Sequence, residues 1–479
     1  MNLRHLLPRA LRPLLVGALL LVVLGASVLL AVAAPHARAV QTATGGGTTW
    51  YFAEGYTGST YTEYLTLADF GSTDASVTIT YYFDSGAPTT KNYTVPHASR
   101  LTLTVNTEAG TNKNVAMKIT STQPIVAERP MYFTYNGTIP GGTDVLGATQ
   151  LSSTFYFPYL DTSATHDNWL AILNPSSNSM TVTIQYFPAS GGAPITVTHT
   201  VAATSRGEVF VNSESGLTAG TYYWAQVSLS TPGVVERSLY LKDTSTGYTG
   251  GSTIVGLTQA QTSWSFAEGY TSSTYTERYL LVNPSTTNTV VATLTFDKSD
   301  GSTAVIQAAL APRELALVNA DAVLGTGGVN NGVQVQATGA IFAERLISFT
   351  YTGPVGGSNS SSIPGFTEVP GTPTAGTLFS FAEGYTGNGF AEYLSILNPD
   401  PSTTASVTVT LAPTSGNQVT NTYQVSPHSR FSLYVNGVLG NQSLAMQVTS
   451  NVNVVAERVL YFTYNGSQTG GTAVVGYQL

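Results

Sequence analysis

Glutamate and arginine are the residues of this chain whose spacing could do chemistry. Ten of its glutamates recur at three repeated positions, and eight of the nine arginines that follow residue 39 recur at two. Two carboxylates across a cleft could hydrolyse a glycoside. The same carboxylates could instead form buried ion pairs with the arginines. The repeated residues are Glu54, Glu268 and Glu383; Glu63, Glu277 and Glu392; Glu128, Glu236, Glu344 and Glu457; Arg100, Arg206, Arg313 and Arg430; and Arg129, Arg237, Arg345 and Arg458.

The multiplicity of these positions favours structural ion pairs over catalysis, because an active site needs one carboxylate pair in one cleft. Neighbours on a strand point to opposite faces, and the Arg129 face of its strand is the apolar one. A buried arginine keeps its proton and needs an acid partner. We therefore expect Arg129 to pair with Glu54 or Glu63, and Glu128 to pair with Arg100.

One copy of the pattern is degenerate. Tyr159 and Asn168 stand there in place of the first two glutamates. Arg237 of this copy needs another acid, and Asp161 and Asp167 are the candidates. The pair of the Arg100–Glu128 type is expected in all four copies.

Four copies of one unit of about 100 residues must position these side chains. The copies span residues 45–149, 150–259 (the degenerate one), 260–375 and 376–479, and the third ends in a Gly, Ser and Pro-rich linker, Gly353–Gly376. Alternating polar and apolar residues, as in Ala75–Phe83, with regular turn signals predict an all-β, Ig-like antiparallel β-sandwich in each copy. We expect four sandwiches in a row, and a β-propeller is the alternative.

Loop aromatics are the candidate ligand-binding residues. Tyr56, Tyr270 and Tyr385 each follow the Glu-Gly step of their copy and could stack on sugar rings, although tyrosines also fill sandwich cores. The four histidines after residue 39 show no zinc-ligand spacing. We predict no metal and no cofactor.

Composition narrows the class of protein further. Charged residues make up 9% of the chain, against about 25% in a typical soluble protein. The absence of cysteine excludes disulfides and thiolate metal sites. A net charge of −8 with five lysines argues against a nucleic-acid partner.

The N-terminus predicts export. Arg4, Arg9 and Arg12 precede an apolar run from 14 to 34, and small residues follow at 37–39. This order is typical of a signal peptide over residues 1–39, cleaved after Ala39. The alternative is an uncleaved anchor that spans the membrane through residues 14–34.

The motifs W-x-F-A-E-G-Y-T and V-A-E-R-P-M-Y-F resemble those of a tandem repeat of about 100 residues from secreted and surface proteins of bacteria. The function of that repeat family is unknown, and the similarity covers nearly all of residues 50–479. It implies an exported, non-catalytic β-rich module. We therefore expect a secreted or cell-surface structural or adhesive protein, with cell-wall or extracellular glycans or surface proteins as partners. The alternative is a carbohydrate-binding protein that uses the loop aromatics.

Overall fold

A computed structural model describes residues 46–357 and 362–479. The predicted signal or anchor segment, residues 1–39, lies outside the described residues. The described residues form one compact, all-β unit with four sheets. Among them, no helix has both the length and the apolar character needed to cross a membrane.

Each sheet takes its strands from one stretch of the described chain, and we call these stretches segments 1 (46–149), 2 (150–259), 3 (260–375) and 4 (376–479). Segment 1 contains β1 (Gly47–Phe52), β2 (Tyr61–Asp69), β3 (Ala75–Phe83), β4 (Thr89–Val95), β5 (Ser99–Thr104), α1 (Val105–Glu108), β6 (Val115–Glu128), β7 (Met131–Tyr135) and β8 (Ile139–Thr143). Segment 2 contains β9 (Ser152–Asp161), β10 (His166–Asn174), β11 (Met180–Pro188), β12 (Ile195–Val201), β13 (Ser205–Phe210), a 3-10 turn (Val211–Ser213), β14 (Tyr222–Asp243) and β15 (Tyr248–Val255).

The other two segments repeat this order of elements. Segment 3 contains β16 (Gln261–Phe266), β17 (Tyr270–Ser272), β18 (Tyr275–Val282), β19 (Val290–Lys298), β20 (Thr303–Leu310), β21 (Leu315–Asn319), α2 (Asp321–Leu324), β22 (Gly327–Tyr351) and β23 (Ile363–Pro370). Segment 4 contains β24 (Gly376–Phe381), β25 (Phe390–Asn398), β26 (Ala405–Pro413), β27 (Val419–Val425), β28 (Ser429–Tyr434), a 3-10 turn (Val435–Gly437), β29 (Leu444–Tyr464), β30 (Gln468–Val475) and β31 (Tyr477–Gln478).

A long strand organises segments 2, 3 and 4. In segment 2, the first half of β14 pairs with β9 and β11, and its second half pairs with β10 and β15. The register shifts between Ser228 and Gly233, where the strand passes from one set of partners to the other. Segment 1 breaks the equivalent strand after β6, at Pro130, because proline has no N–H for the ladder.

The closing strands of the four segments meet one another. Four hydrogen bonds link them in a cycle, each from a backbone N–H to a hydroxyl of the preceding segment. The donors and acceptors are Thr253 N to Thr143 Oγ1 (2.8 Å), Glu368 N to Ser252 Oγ (3.0 Å), Ala473 N to Thr367 Oγ1 (3.0 Å) and Asp144 N to Thr472 Oγ1 (3.0 Å). Since the last bond joins segment 4 to segment 1, the four segments form a closed ring.

Glycines permit the close approach of these strands. A Cβ on Gly141 would lie 3.0 Å from the Cα of Gly250, and one on Gly470 would lie 3.5 Å from the Cα of Gly141. A Cβ on Gly471 would lie 2.6 Å from the ring of Phe349 in segment 3. The Gly-Gly motifs therefore serve packing at the centre of the ring.

The first and last segments lie against each other, because residues of segments 1 and 4 share an apolar cluster that includes Tyr132, Phe390 and Phe462. One expectation about domain arrangement is wrong. The stretch Gly353–Gly376 is not simply a linker, because it contains β23, which pairs with β22 over eight residues. The sequence did not predict β23, because glycine and proline are unfavourable in most strands.

Replacing Gly471 with alanine tests the packing of the ring centre. Gly471→Ala forces a Cβ against Phe349, so we expect the free energy of unfolding to fall by about 1–3 kcal/mol. Gly327→Ala is the control, because nothing lies within 4 Å of a Cβ at that exposed position. Urea denaturation of both variants measures the difference, and equal stability would contradict the close packing.

Candidate functional site

The repeated charges meet at the boundaries between segments. Arg129 of segment 1 pairs with Glu236 of segment 2 at 3.1 Å, and both side chains are fully buried. Segments 3 and 4 make the same contact between Arg345 and Glu457 at 2.8 Å. The equivalent pairs are, in order around the ring, Arg129–Glu236, Arg345–Glu457 and Arg458–Glu128, the last joining segments 4 and 1 at 2.9 Å.

A second set of ion pairs lies beside the first. Arg206 binds Glu54 across the boundary of segments 1 and 2 at 2.6 Å, and Arg100 binds Glu383 across the boundary of segments 4 and 1 at 2.7 Å. Arg430 makes the same contact with Glu268. These side chains are at most 8% exposed, so each pair is largely buried at its boundary.

The expected pairing within one copy is therefore wrong. No ion pair of the Arg100–Glu128 type forms inside any described segment, and Arg129 takes neither Glu54 nor Glu63. The physical reason is that both faces of this strand are covered by neighbouring segments. Adjacent side chains point to opposite faces, so Arg129 reaches segment 2 while Glu128 reaches segment 4.

Backbone amides complete the coordination of each buried glutamate. The N–H of Ala53 donates to Oε1 of Glu236 at 2.6 Å, which leaves Oε2 for Arg129. Glu457 and Glu128 accept from Ala267 and Ala382 in the same way. The alanine of the F-A-E-G-Y-T motif therefore donates its backbone N–H to a glutamate of the neighbouring segment.

The glutamates at the repeated position of Glu63, which are Glu63, Glu277 and Glu392, are buried acids with raised pKa values. Burial raises the pKa of Glu63 to about 8, that of Glu277 to about 7 and that of Glu392 to about 8. Each lies against the glycine of F-A-E-G-Y-T, and a Cβ on Gly55 would be 2.6 Å from Glu63 Oε1. Glycine is therefore required wherever the buried acid is glutamate. Segment 2, with the shorter Asn168, has Leu160 at this position.

The boundary between segments 2 and 3 departs from the other three. Pro158 replaces the alanine and has no N–H to offer Glu344. Arg237 lies 3.9 Å from Glu344 and instead binds Glu368 and the carbonyl of Tyr159. Burial raises the pKa of Glu344 to about 8 and that of Glu368 to about 7.

Two expectations fail for the arginines of segments 2 and 3. Arg237 binds neither Asp161 nor Asp167. Asp161 accepts a hydrogen bond from Tyr159, and Asp167 accepts one from Tyr135. Arg313, without a Glu54 equivalent, lies half-buried over the ring of Phe187.

Sequence reasoning missed Asp144 and Glu368 as partners of buried arginines. Asp144 binds Arg458, and Glu368 binds Arg237. Their equivalents in the other two segments are Thr253 and Ala473, so repetition gave no signal. The only hint was that these acids follow the Gly-rich closing motif directly.

Two equivalent clefts hold two of the three predicted ligand-binding tyrosines, Tyr385 and Tyr270, and Tyr56 lines neither cleft. A cavity of about 360 Å³ between segments 4 and 1 is lined by Tyr385, Tyr464 and Tyr132. A cavity of about 380 Å³ between segments 3 and 4 is lined by Tyr270 and Tyr351, among others. Hydroxyl and amide groups also line both clefts, and so does one ion pair in each, Arg100–Glu383 in the first and Arg430–Glu268 in the second. The clefts could therefore take a ligand that offers apolar faces and hydroxyls.

The predicted tyrosines are half-buried rather than on an open rim. Tyr56 packs edge-on against Tyr61 with ring centroids 4.9 Å apart, and Tyr385 packs on Phe390 at 4.8 Å. Tyr270 packs on Tyr275 in the same way. One edge of each ring is thus committed to structure, and the remainder faces a segment boundary.

No metal site accompanies these features: the described residues contain no group of three or more histidines and acids placed to hold an ion.

Comparisons with known proteins do not place the chain in a family. No family model and no curated protein matches the chain. Among solved structures, Thermotoga maritima 1070 is 22% identical over 22% of this chain and 96% of its own, with a TM-score of 0.21. The Anabaena sensory rhodopsin transducer is 28% identical over 18% and 95%, with a TM-score of 0.16. A tetra-tandem repeat from the extending region of a large adhesion protein is 13% identical over 85% and 92%, with a TM-score of 0.12.

The raised pKa of Glu63 predicts how stability depends on pH. The folded state holds a proton that the unfolded chain, with a pKa near 4.5, releases, so this residue destabilises the fold progressively as pH rises from about 4.5 to about 8. Glu63→Gln keeps the shape without the charge. We expect it to gain more than about 1 kcal/mol at pH 9, since one pKa unit is about 1.4 kcal/mol, and little at pH 4.5.

Thermal and urea unfolding at both pH values measures this difference. Asp84→Asn is the matched control, because Asp84 is an exposed carboxylate. A Glu63→Gln variant with the same loss of stability between pH 4.5 and 9 as the parent would contradict a buried, protonated Glu63.

Proposed function

We propose that the protein is a non-catalytic structural or adhesive protein, secreted by a bacterial cell or displayed on its surface. One observation carries this proposal: six of the repeated arginines bind repeated glutamates of a neighbouring segment, and these buried pairs hold the ring together. Arg129 and Glu236, for example, are 0% exposed. Carboxylates that bind arginines in this way are occupied in holding neighbouring segments together.

The proposal includes a finer description of the fold. Each segment is one copy of an Ig-like antiparallel β-sandwich, and the four copies belong to the repeat type of bacterial surface proteins that the motifs resemble. The equivalent ion pairs and the equivalent glycine–glutamate contacts support four copies of one unit. The predicted export signal over residues 1–39 supports the extracellular location.

Carbohydrate binding is the second candidate, and the two aromatic clefts favour it. Each offers tyrosine rings beside polar groups such as Asn388 in one cleft and Ser272 in the other. Aromatic platforms with a few placed polar groups are what small-ligand sites commonly contain. Cell-wall or extracellular glycans are the partners that this chemistry suits.

Glycan arrays and pull-downs with bacterial cell-wall fragments test both candidates. We expect the purified protein to bind surface material, and we expect the double variant Tyr270→Ser, Tyr385→Ser to lose any glycan binding. Tyr423→Ser is the control, because Tyr423 is also half-buried against a ring, that of Phe431, outside both clefts.

Three outcomes separate the possibilities. Glycan binding that survives the double variant would contradict a role for the aromatic clefts. Surface binding without glycan binding would leave adhesion and remove the carbohydrate candidate. Binding to neither material would contradict adhesion.

A further inference from the structure

A third cleft, of about 250 Å³, lies between segments 2 and 3. It occupies the position that the aromatic clefts occupy at other boundaries. Strand register establishes this equivalence, because His166 pairs with Leu241 as Tyr275 pairs with Phe349.

The aromatic positions of the other clefts are polar in this one. His166 stands where the other segments have Tyr61, Tyr275 and Phe390, and Asp161 stands where they have Tyr56, Tyr270 and Tyr385. On the strands that close the cleft, Asp243 replaces Tyr135, Tyr351 and Tyr464; Ser348 replaces Tyr132, Tyr240 and Tyr461; and Arg278 replaces Tyr64, Trp169 and Tyr393. Divergence of the repeated sequence does not by itself require five polar replacements at one boundary, because tyrosine and phenylalanine pack well at these positions.

Asp161 and His166 form an oriented pair. Asp161 is 2% exposed and accepts hydrogen bonds from the Ser163 N–H (2.8 Å) and the Tyr159 hydroxyl (3.2 Å). His166 Nδ1 lies 3.2 Å from Asp161 Oδ2 and 2.9 Å from Thr165 Oγ1. These contacts fix the ring, and among the described residues Nε2 has no partner. Burial lowers the pKa of His166, and in the neutral ring the tautomer that donates its Nδ1–H to Asp161 leaves Nε2 as an acceptor.

Two donors complete the cleft. Ser348 is 6% exposed and lines it, and its hydroxyl has no hydrogen-bond partner within the described residues. Arg278, at the exposed mouth, is the one arginine after residue 39 that lies outside the repeated pattern, and it makes no ion pair in the part of the chain that the structure describes.

We propose that this cleft binds a neutral, hydroxyl-rich ligand the size of one sugar ring. A ligand hydroxyl donates to His166 Nε2, and ligand oxygens accept from Arg278 and Ser348. Two carboxylates, Asp161 and Asp243, face one guanidinium, and this balance disfavours an anionic ligand. Tyr222, which is 40% exposed, provides an aromatic face at the mouth.

This inference does not rest on the aromatic clefts. It concerns a different boundary and different residues, so the Tyr270→Ser, Tyr385→Ser variant is expected to leave this binding unchanged. Loss of binding in that variant would assign the ligand to the aromatic clefts and overturn the proposal.

Saturation-transfer NMR and calorimetry with neutral methyl glycosides, and with hexuronates as the anionic arm, test the proposal on the purified protein. His166→Tyr restores the residue that the equivalent position has in segments 1 and 3, and so keeps a side chain that fits. We expect at least one neutral glycoside to bind and its affinity to fall about tenfold or more in His166→Tyr, since one lost hydrogen bond is worth about that much.

One matched control and one second cleft variant complete the experiment. Tyr275→His places a histidine in the neighbouring aromatic cleft and should leave affinity unchanged. Arg278→Gln changes an exposed residue, so it tests the cleft even if His166→Tyr does not fold, and we expect weaker binding. Absence of binding by every neutral glycoside, unchanged affinity in these cleft variants, or tighter binding of hexuronates would overturn the proposal.

Discussion

A buried arginine that must find its acid on another segment is the interaction on which this structure depends. Taking a guanidinium and a carboxylate out of water costs several kcal/mol for each ion, and only a close partner offsets the cost. Arg129 and Glu236 satisfy each other across a boundary, and the adjacent Glu128 is satisfied from the opposite side by Arg458. One segment therefore depends on both neighbours, and four such segments close into a ring.

The rest of the architecture follows from this closure. Glycines allow the closing strands to meet at the centre, and hydroxyl groups link those strands in a cycle. Three residues of the F-A-E-G-Y-T motif then have a physical role. Its alanine supplies an N–H, its glutamate is an ion-pair partner, and its glycine leaves space for a second buried glutamate, whose pKa burial raises. Where Pro158 removes the N–H, Glu344 loses its partners and the boundary is rebuilt around Glu368.

The sequence predicted the all-β class because alternation such as that of Ala75–Phe83 depends only on local geometry. It also predicted which charged residues matter, since repetition singles out Arg129 and Glu128. It could not predict their partners, because a repeated sequence does not distinguish a contact within one copy from the same contact between copies. The sequence did not predict the cleft formed by Arg278, His166 and Ser348, because these residues do not repeat. Only the closed ring brings them together.

A pair of double-mutant cycles on Arg100 tests the central claim most directly. One cycle combines Arg100→Met with Glu383→Gln in segment 4, and the other combines Arg100→Met with Glu128→Gln in segment 1. Closure of the ring predicts a coupling energy of about 2 kcal/mol or more in the first cycle and a much smaller one in the second. Additive effects of Arg100→Met and Glu383→Gln, with strong coupling between Arg100 and Glu128, would contradict it.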